Sequence, residues 1–372
     1  MKKNIRLITI VGARPQFVKA AVVTSAIKAH NQQKHVRRLE EVLVHTGQHY
    51  DLDMSQVFFN QLDIPAPHYH LGVGSGPHGE QTAKMMVGIE GVLLKGPPDL
   101  VIVYGDTNST LAGALTAAKL NIPIAHVEAG LRSFNRGMPE ELNRIITDRL
   151  SVLLFCPTAT SVSNLKNEGI HQGAHQVGDV MLDAFLAYKK AALQSSPVLS
   201  AHDLKDRSYF LATVHRQENT DDPARLTAIF SAFSKLASAD CPFIVPLHPR
   251  TRKSLLKTEF RLKLNQHIKL IPPQNYLDMI ALISQAKTIL TDSGGVQREA
   301  YFARVPCVTV RDETEWTETV ESGWNILAGT QTEGIIRAVK SLDSVKLPAP
   351  PPYFGDGQAS RRIVELLSSQ VK

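Results

Sequence analysis

Short apolar runs rich in valine and isoleucine alternate with amphipathic stretches along the whole chain. Residues 5–11, 41–45, 100–104, 122–127 and 152–156 form one series of such runs, and 209–214, 243–247, 268–271, 288–291 and 307–310 form a second. Runs of this length predict strands buried on both faces, and the amphipathic stretches between them predict the helices that cover parallel sheets. The pattern therefore predicts an α/β protein with two Rossmann-like domains. Residues 180–193 read as a helix that closes the first series, and the loose Gln194-Ser195-Ser196-Pro197 places the domain crossing there. Pro348-Ala349-Pro350-Pro351-Pro352 admits neither helix nor central strand, so it reads as an extended connector. The last helix, residues 359–369, is expected to pack back on the first domain. The expected division is thus 1–193 joined by 359–372, and 194–358.

Length agrees with this division, because 372 residues exceed what one compact core holds. No stretch approaches the roughly 18 uninterrupted apolar residues of a membrane helix, so no membrane association is expected. The N-terminal Met1-Lys2-Lys3 before an apolar run imitates a short signal peptide. The run is brief, however, and ends in Gly12-Ala13-Arg14-Pro15-Gln16 without a cleavage pattern, which favours a first buried strand. Cys156, Cys241 and Cys307 are few, odd in number and far apart, giving neither a disulfide framework nor metal-ligand spacing. They are read as buried structural thiols in a reducing cytoplasm. The net charge of +6 comes from scattered basic residues with no aromatic-interleaved stripe, which argues against nucleic acid. An anionic small molecule explains the excess as well as chance does. Neither a Gly-x-Gly-x-x-Gly turn after a strand nor a Walker loop is present, so NAD and ATP chemistry lose support, and no cofactor or metal is expected.

Tyr104-Gly105-Asp106-Thr107 and His126-Val127-Glu128-Ala129-Gly130 each follow an apolar run, so Asp106 and Glu128 are expected side by side at the carboxyl ends of neighbouring strands. Open α/β sheets bind their ligands there. Carboxylates converging at such a place suggest acid/base work, and Glu140 after Pro139 is a third candidate; a first-turn acid stabilising its own helix is the alternative. Arg14 and Lys19 open the helix after the first strand and would place two cations beside the same crevice. In the second half, Thr291-Asp292-Ser293-Gly294-Gly295 runs from a strand into a helix. Ser293, Gly294 and Gly295 form either a cradle for a diphosphate, through free amides at a helix start, or an ordinary cap. Glu299, one turn on, suits a ribose or simply the helix dipole. His215 and Arg216 follow the strand at 209–214 and would face the same ligand, where a histidine can bond a leaving phosphate or shuttle a proton. His248, before Pro249, reads as structural.

Taken together, Val11-Gly12-Ala13-Arg14-Pro15, Tyr104-Gly105-Asp106-Thr107, His126-Val127-Glu128-Ala129-Gly130-Leu131-Arg132, Pro139-Glu140-Glu141, His215-Arg216-Gln217-Glu218-Asn219 and Thr291-Asp292-Ser293-Gly294-Gly295 resemble the non-hydrolysing UDP-N-acetylglucosamine 2-epimerases over nearly the whole chain. The resemblance implies a glycosyltransferase-B arrangement of the two domains, a UDP-sugar held in the interdomain cleft, and a homodimer. It also implies that Asp106, Glu128, Glu140 and His215 are catalytic and that Arg14, Lys19, Gln274, Ser293, Gly294, Gly295 and Glu299 bind the substrate; Arg144 and Arg216 join the binding set. The implied reaction is anti elimination of UDP to 2-acetamidoglucal, return of the proton to the other face, and re-addition of UDP.

Two departures stand out. Where many members read Thr-Glu-Arg-Pro-Glu, this chain has Thr314-Glu315-Trp316-Thr317-Glu318, which makes Arg311 the nearest candidate to restore the charge. Met279 stands where well-known members have an aromatic residue. Glu315-Trp316, Val320-Glu321-Ser322-Gly323-Trp324-Asn325 and His45-Thr46-Gly47-Gln48-His49-Tyr50-Asp51 are similar to the branch acting on UDP-2,3-diacetamido-2,3-dideoxyglucuronate. That substrate is the near alternative to UDP-N-acetylglucosamine. A hydrolysing epimerase and a glycosyltransferase are further ones, and a non-catalytic sensor fits least, since it has no need of the acid cluster.

Overall fold

The computed structural model describes residues 4–34, 36–48, 66–257 and 264–371. The chain divides into two compact units, Met1–Ala184 with Pro352–Lys372, and Phe185–Pro351. In the first unit, β1 (Ile5–Val11), β2 (Leu39–His45), β3 (Tyr69–His70), β4 (Leu100–Tyr104), β5 (Ile124–Val127), β6 (Leu153–Cys156) and β7 (Ala174–Gln176) form one sheet in the order β3-β2-β1-β4-β5-β6-β7. Every ladder is parallel. Helices on both faces explain why the central strands are apolar throughout rather than alternating: all five residues of β4 are buried. The strand order reverses between β1 and β4. Chain leaving these two neighbours turns to opposite faces, which opens a crevice above their carboxyl ends.

The second unit repeats the plan with β8 (Phe210–Thr213), β9 (Phe243–Pro246), β10 (Ile268–Ile271), β11 (Thr288–Thr291), β12 (Cys307–Thr309) and β13 (Asn325–Leu327), in the order β10-β9-β8-β11-β12-β13. Its switch point lies between β8 and β11, which pair in parallel. Beneath them, Phe233 stacks on Phe243 with ring centroids 4.8 Å apart, and Phe210 and Phe230 join the same core.

The division between units falls inside the helix Val180–Ser195. The final helix, Ala359–Gln370, belongs to the first unit. Asp183 fixes its start, accepting from the Ala359 and Ser360 amides and the Ser360 hydroxyl, and Ile363, Val364 and Leu367 are buried. Of the three cysteines, Cys156 and Cys307 are buried, and burial pushes the Cys307 thiol up to about 12. Cys241 departs from the expected burial. It is half-exposed, because it lies in the turn before β9 where its amide bonds the Ser238 hydroxyl. No described helix is long and apolar enough to cross a membrane.

Candidate functional site

In the first unit the two loops at the β1/β4 switch point, with the end of β5, assemble a cluster of paired charges. The helix Arg14–Asn31 begins directly after β1. The Gln16 side chain locks that turn, accepting from the Gly12 and Ala13 amides and donating to the Tyr104 carbonyl and Thr110 hydroxyl. A β-carbon on Gly12 would lie 2.1 Å from both the Ser109 and Thr46 hydroxyls, so only glycine allows this approach. One turn further, Lys19 sends its Nζ to within 2.5 Å of Glu128 Oε2, with both side chains under a tenth exposed. The same ammonium lies 3.1 Å from where a β-carbon on Gly105 would stand, which brings it beside the turn that carries Asp106.

Asp106 Oδ2 accepts from Arg144 Nη2 at 2.6 Å and remains partly open to solvent. Asn143, one residue earlier on the helix Pro139–Leu150, donates to the Asp106 carbonyl. Asp106 and Glu128 thus emerge from neighbouring strands, β4 and β5, whose register pairs Tyr104 with Val127. Glu128 has φ of +74°, a left-handed conformation that a side chain with a β-carbon adopts at a cost of about 1–3 kcal/mol. The backbone holds that strain while presenting the carboxylate to Lys19.

A buried network fixes the floor of this cluster. His126 Nε2 lies 2.7 Å from the Gly105 carbonyl and Nδ1 lies 2.7 Å from Asp148 Oδ1. A carbonyl can only accept, so Nε2 is the donor to Gly105. Asp148 also accepts from Arg132 Nη1 and the Gly130 amide. Burial opposes the charge on Arg132, but Glu168 and Asp148 hold its pKa above the ordinary arginine value. The two strand ends are thereby tied together: His126 grips the turn before Asp106, and Asp148 grips the loop after Glu128.

Glu140 is exposed in the first turn of its helix, and none of the described residues forms an ion pair with it. Its neighbour Glu141 is buried instead, accepting from the Ser133 amide and hydroxyl and the Phe134 amide, with Arg144 Nη1 3.3 Å away. Glu141 anchors the 133–134 loop, which leaves Glu140 as the acid of this pair that meets solvent. Arg14 is half-buried at the helix start.

In the second unit the switch point is organised by Asp292, a fully buried carboxylate after β11. It accepts from the His215 and Arg216 amides and from Asn219 Nδ2, while His215 Nδ1 lies 3.4 Å from Oδ1. His215 keeps its ring partly exposed, with its centroid 6.0 Å from that of His248. Arg216 Nε donates to the Asp292 carbonyl. Ser293 caps the helix Gly294–Ala303, its hydroxyl accepting from the Val296 amide.

The two glycines of the turn differ. A β-carbon on Gly294 would stand 2.2 Å from Glu315 Oε1 and 3.1 Å from Trp316 Nε1, whereas one on Gly295 would meet nothing closer than the Ser293 hydroxyl at 3.7 Å. The protein's own Glu315 therefore fills the side of Gly294 that the sequence reading left to a phosphate. Arg311 Nη1 reaches Glu315 Oε2 at 3.1 Å, and Arg216 Nη2 lies 3.7 Å from Oε1. Trp316 is buried, with the Arg298 guanidinium stacked 3.9 Å from its ring centroid. It packs on a cation.

Glu299 is buried one turn along. Burial and this neighbouring carboxylate together raise the Tyr276 hydroxyl well above its ordinary pKa. Gln274 is half-buried in the loop after β10 and donates to the Pro272 carbonyl; Met279 is also half-buried.

Asp106, Glu128, Lys19 and Arg144 thus meet in one unit, and His215, Arg216, Ser293, Gly294 and Arg311 gather around Asp292 and Glu315 in the other. Sequence reasoning passed over Asp292, Glu315, His126 and Asp148 as organisers. Asp292 stood in a quoted motif, and its position at a strand end was the available signal.

Two Rossmann-like units, one with paired acids at its switch point and one with a capped Ser-Gly-Gly helix start, define the class as an α/β enzyme of the nucleotide-sugar type. Residues 31–368 match the family described as UDP-N-acetylglucosamine 2-epimerase, and the chain belongs to that family. It is 52% identical to a UDP-N-acetylglucosamine 2-epimerase homolog of Methanococcus maripaludis, over 97% of this chain and 99% of that one. It is 48% identical to the UDP-2,3-diacetamido-2,3-dideoxy-D-glucuronate 2-epimerase of Pseudomonas aeruginosa, over 98% and 99%. Among solved structures, the Methanocaldococcus jannaschii UDP-GlcNAc 2-epimerase in complex with UDP-GlcNAc and UDP matches with a TM-score of 0.89 at 44% identity, covering 98% of this chain and 99% of that one.

Proposed function

We propose that this protein is a non-hydrolysing UDP-N-acetylglucosamine 2-epimerase, interconverting UDP-GlcNAc and UDP-ManNAc. The observation that carries the reading is the pair of carboxylates at the β4 and β5 ends, each held by a cation: Asp106 by Arg144 and Glu128 by Lys19. Hydrogen on sugar carbon 2 is scarcely acidic, so its removal requires a positioned base and a stabilised leaving group. One carboxylate takes that proton as the bond from carbon 1 to the UDP oxygen breaks, leaving 2-acetamidoglucal and UDP. A carboxylic acid then delivers a proton to carbon 2 from the opposite face as a UDP oxygen re-forms the bond to carbon 1. Asp106, Glu128 and the solvent-facing Glu140 are the acids and bases in this scheme.

His215, oriented by Asp292, bonds the departing diphosphate, and Arg216, Ser293 and Gly295 receive it. Arg14, Lys19, Arg144 and Arg311 supply positive charge, while Gln274 and Glu299 serve the nucleoside. Glu315 sits beside Gly294, so the diphosphate is expected to take the open side at Gly295 or to displace that carboxylate. The enzyme is further proposed to act as a homodimer in the cytoplasm, consistent with its three unpaired thiols; light scattering at micromolar protein measures the assembly.

A second reading is favoured by one specific feature. Glu315-Trp316 replaces the family's arginine-containing sequence, and the Pseudomonas relative acts on the diacetamido-glucuronate sugar. Incubation with each UDP-sugar in heavy water, followed by proton NMR, separates the possibilities. Deuterium at carbon 2 of intact UDP-GlcNAc supports the first reading, and exchange confined to the diacetamido substrate supports the second. Free sugar plus UDP would mean hydrolysis, and absence of exchange with both substrates would refute the epimerase assignment.

A further inference from the structure

The second unit contains a cavity of about 560 Å³ between the ends of β12 and β13 and the start of the helix Thr332–Asp343. Three guanidinium groups line it, from Arg225, Arg311 and Arg337. Two carboxylates accompany them. Asp312 is mostly exposed with Arg225 Nη2 4.0 Å away, and Glu333 bonds Lys235 Nζ at 2.7 Å. Positive charge is therefore in excess around the cavity.

Two independent features suit an anion. The helix Thr332–Asp343 has twelve residues, and no side chain caps it: Gln331 at the N-cap makes no such bond, and the Thr332 hydroxyl donates elsewhere, to the Ala228 carbonyl. Amides at an uncapped helix start, with the aligned dipole, attract an oxyanion. Arg311, in turn, is only 2% exposed, yet its Nη2 has no hydrogen-bond partner among the described residues. Its Nη1 is engaged by Glu315, and Nε lies 3.8 Å from Glu218. A buried guanidinium nitrogen without an acceptor, on a residue that lines a basic cavity, is the complement of a ligand oxygen.

We propose that this cavity is a second anion site, separate from the Ser293-Gly294-Gly295 turn, and that it takes a small phosphate-bearing molecule. The phosphate would accept from Arg311 Nη2 and the 332–334 amides, with Arg225 and Arg337 closing over it. Because Arg311 also holds the Glu315 carboxylate against Gly294, an anion here shares a cation with the diphosphate turn. The two sites are thereby linked, and linkage acts reciprocally on their affinities.

The test titrates inorganic phosphate into the full chain at constant ionic strength, followed by calorimetry and phosphorus NMR. It compares the wild type with Arg225→Gln/Arg337→Gln and, separately, with Ser293→Ala. The expected result is that the double arginine variant binds phosphate about tenfold or more weakly, while its UDP affinity and melting temperature stay near wild type and Ser293→Ala retains phosphate binding. Equal phosphate affinity in the wild type and the double variant overturns the proposal. So does binding lost in Ser293→Ala alone, or no binding to the wild type at millimolar phosphate. Failure of UDP to bind any of these proteins would count against the epimerase reading and leave the phosphate result to be judged by itself.

Discussion

Removing the Lys19 ammonium should destabilise the first unit far more than removing the Lys19–Glu128 pair as a whole. At 2.5 Å, two unit charges attract by about 7 kcal/mol at an effective dielectric near 20, which is comparable to the several kcal/mol each ion loses on leaving water. The net contribution of the intact pair is therefore small. Lys19→Met deletes only the attraction, and Glu128 stays buried at a backbone angle that already costs about 1–3 kcal/mol. The expected loss is about 3–5 kcal/mol. Glu128→Gln strands the ammonium in the same way. In Lys19→Met/Glu128→Gln neither charge remains, so the double variant should regain at least about 1 kcal/mol relative to the sum of the single losses. Urea unfolding followed by circular dichroism gives all four stabilities for the cycle. Losses that add to within about 0.5 kcal/mol would show that the two groups do not stabilise each other, and the argument from their separation would fail. Recovery of stability without recovery of carbon-2 exchange in the double variant would separate the pair's structural role from its chemical one.

Asp106→Asn should retain UDP binding and slow deuterium exchange at carbon 2 by about 100- to 10,000-fold, measured by proton NMR; equal rates would remove Asp106 from the acid/base set. Asp292→Ala leaves the His215 and Arg216 amides without their side-chain acceptor and leaves Asn219 Nδ2 with the Val310 carbonyl alone. Calorimetry should find UDP affinity weakened by about tenfold or more, whereas unchanged affinity would show that the 215–219 turn does not need this anchor. Glu41 has its pKa raised by burial, partly offset by the Thr9 hydroxyl, from an ordinary value of 4.5. A raised acid is favoured protonated in the folded state, so its contribution is complete below 4.5 and is lost as pH climbs through the folded value. Glu41→Gln should accordingly raise the melting temperature at about pH 8 and change it little at about pH 4; a shift of equal size at both would contradict a perturbed carboxyl.

What was legible in the chain follows from which forces act locally. The central strands could be read because burial on both faces demands uninterrupted apolar residues, and β1, β4 and β11 begin and end where the runs do. The edge strands β3, β7 and β13 escaped, since two or three residues with one ladder partner need no such run, and Tyr69-His70 is exposed. The helix Val180–Ser195 runs to the first of the two serines, whose hydroxyl bonds the Ala191 carbonyl, and the chain leaves it at Ser196. Of the longest motif pointing to the diacetamido branch, residues 49–51 lie outside the described residues.

The candidate site shows the same division between local and distant causes. Asp106 and Glu128 were visible because a polar residue after an apolar run marks a strand end, and adjacent strands bring the two together. Their cations and anchors were not visible as partners, because Lys19, Arg144, His126 and Asp148 reach them from elements up to 109 residues away along the chain, where only the sheet order decides who meets whom. Glu315 is the sharpest case. Twenty residues after the Ser-Gly-Gly turn, it looked like part of an altered nucleotide motif, yet it presses on Gly294 while its neighbour Trp316 carries Arg298 on its face. Trp316 thus stands on Arg298 while the carboxylate before it lies between Arg311 and Arg216, and the charge presented to a diphosphate depends on whether that carboxylate stays.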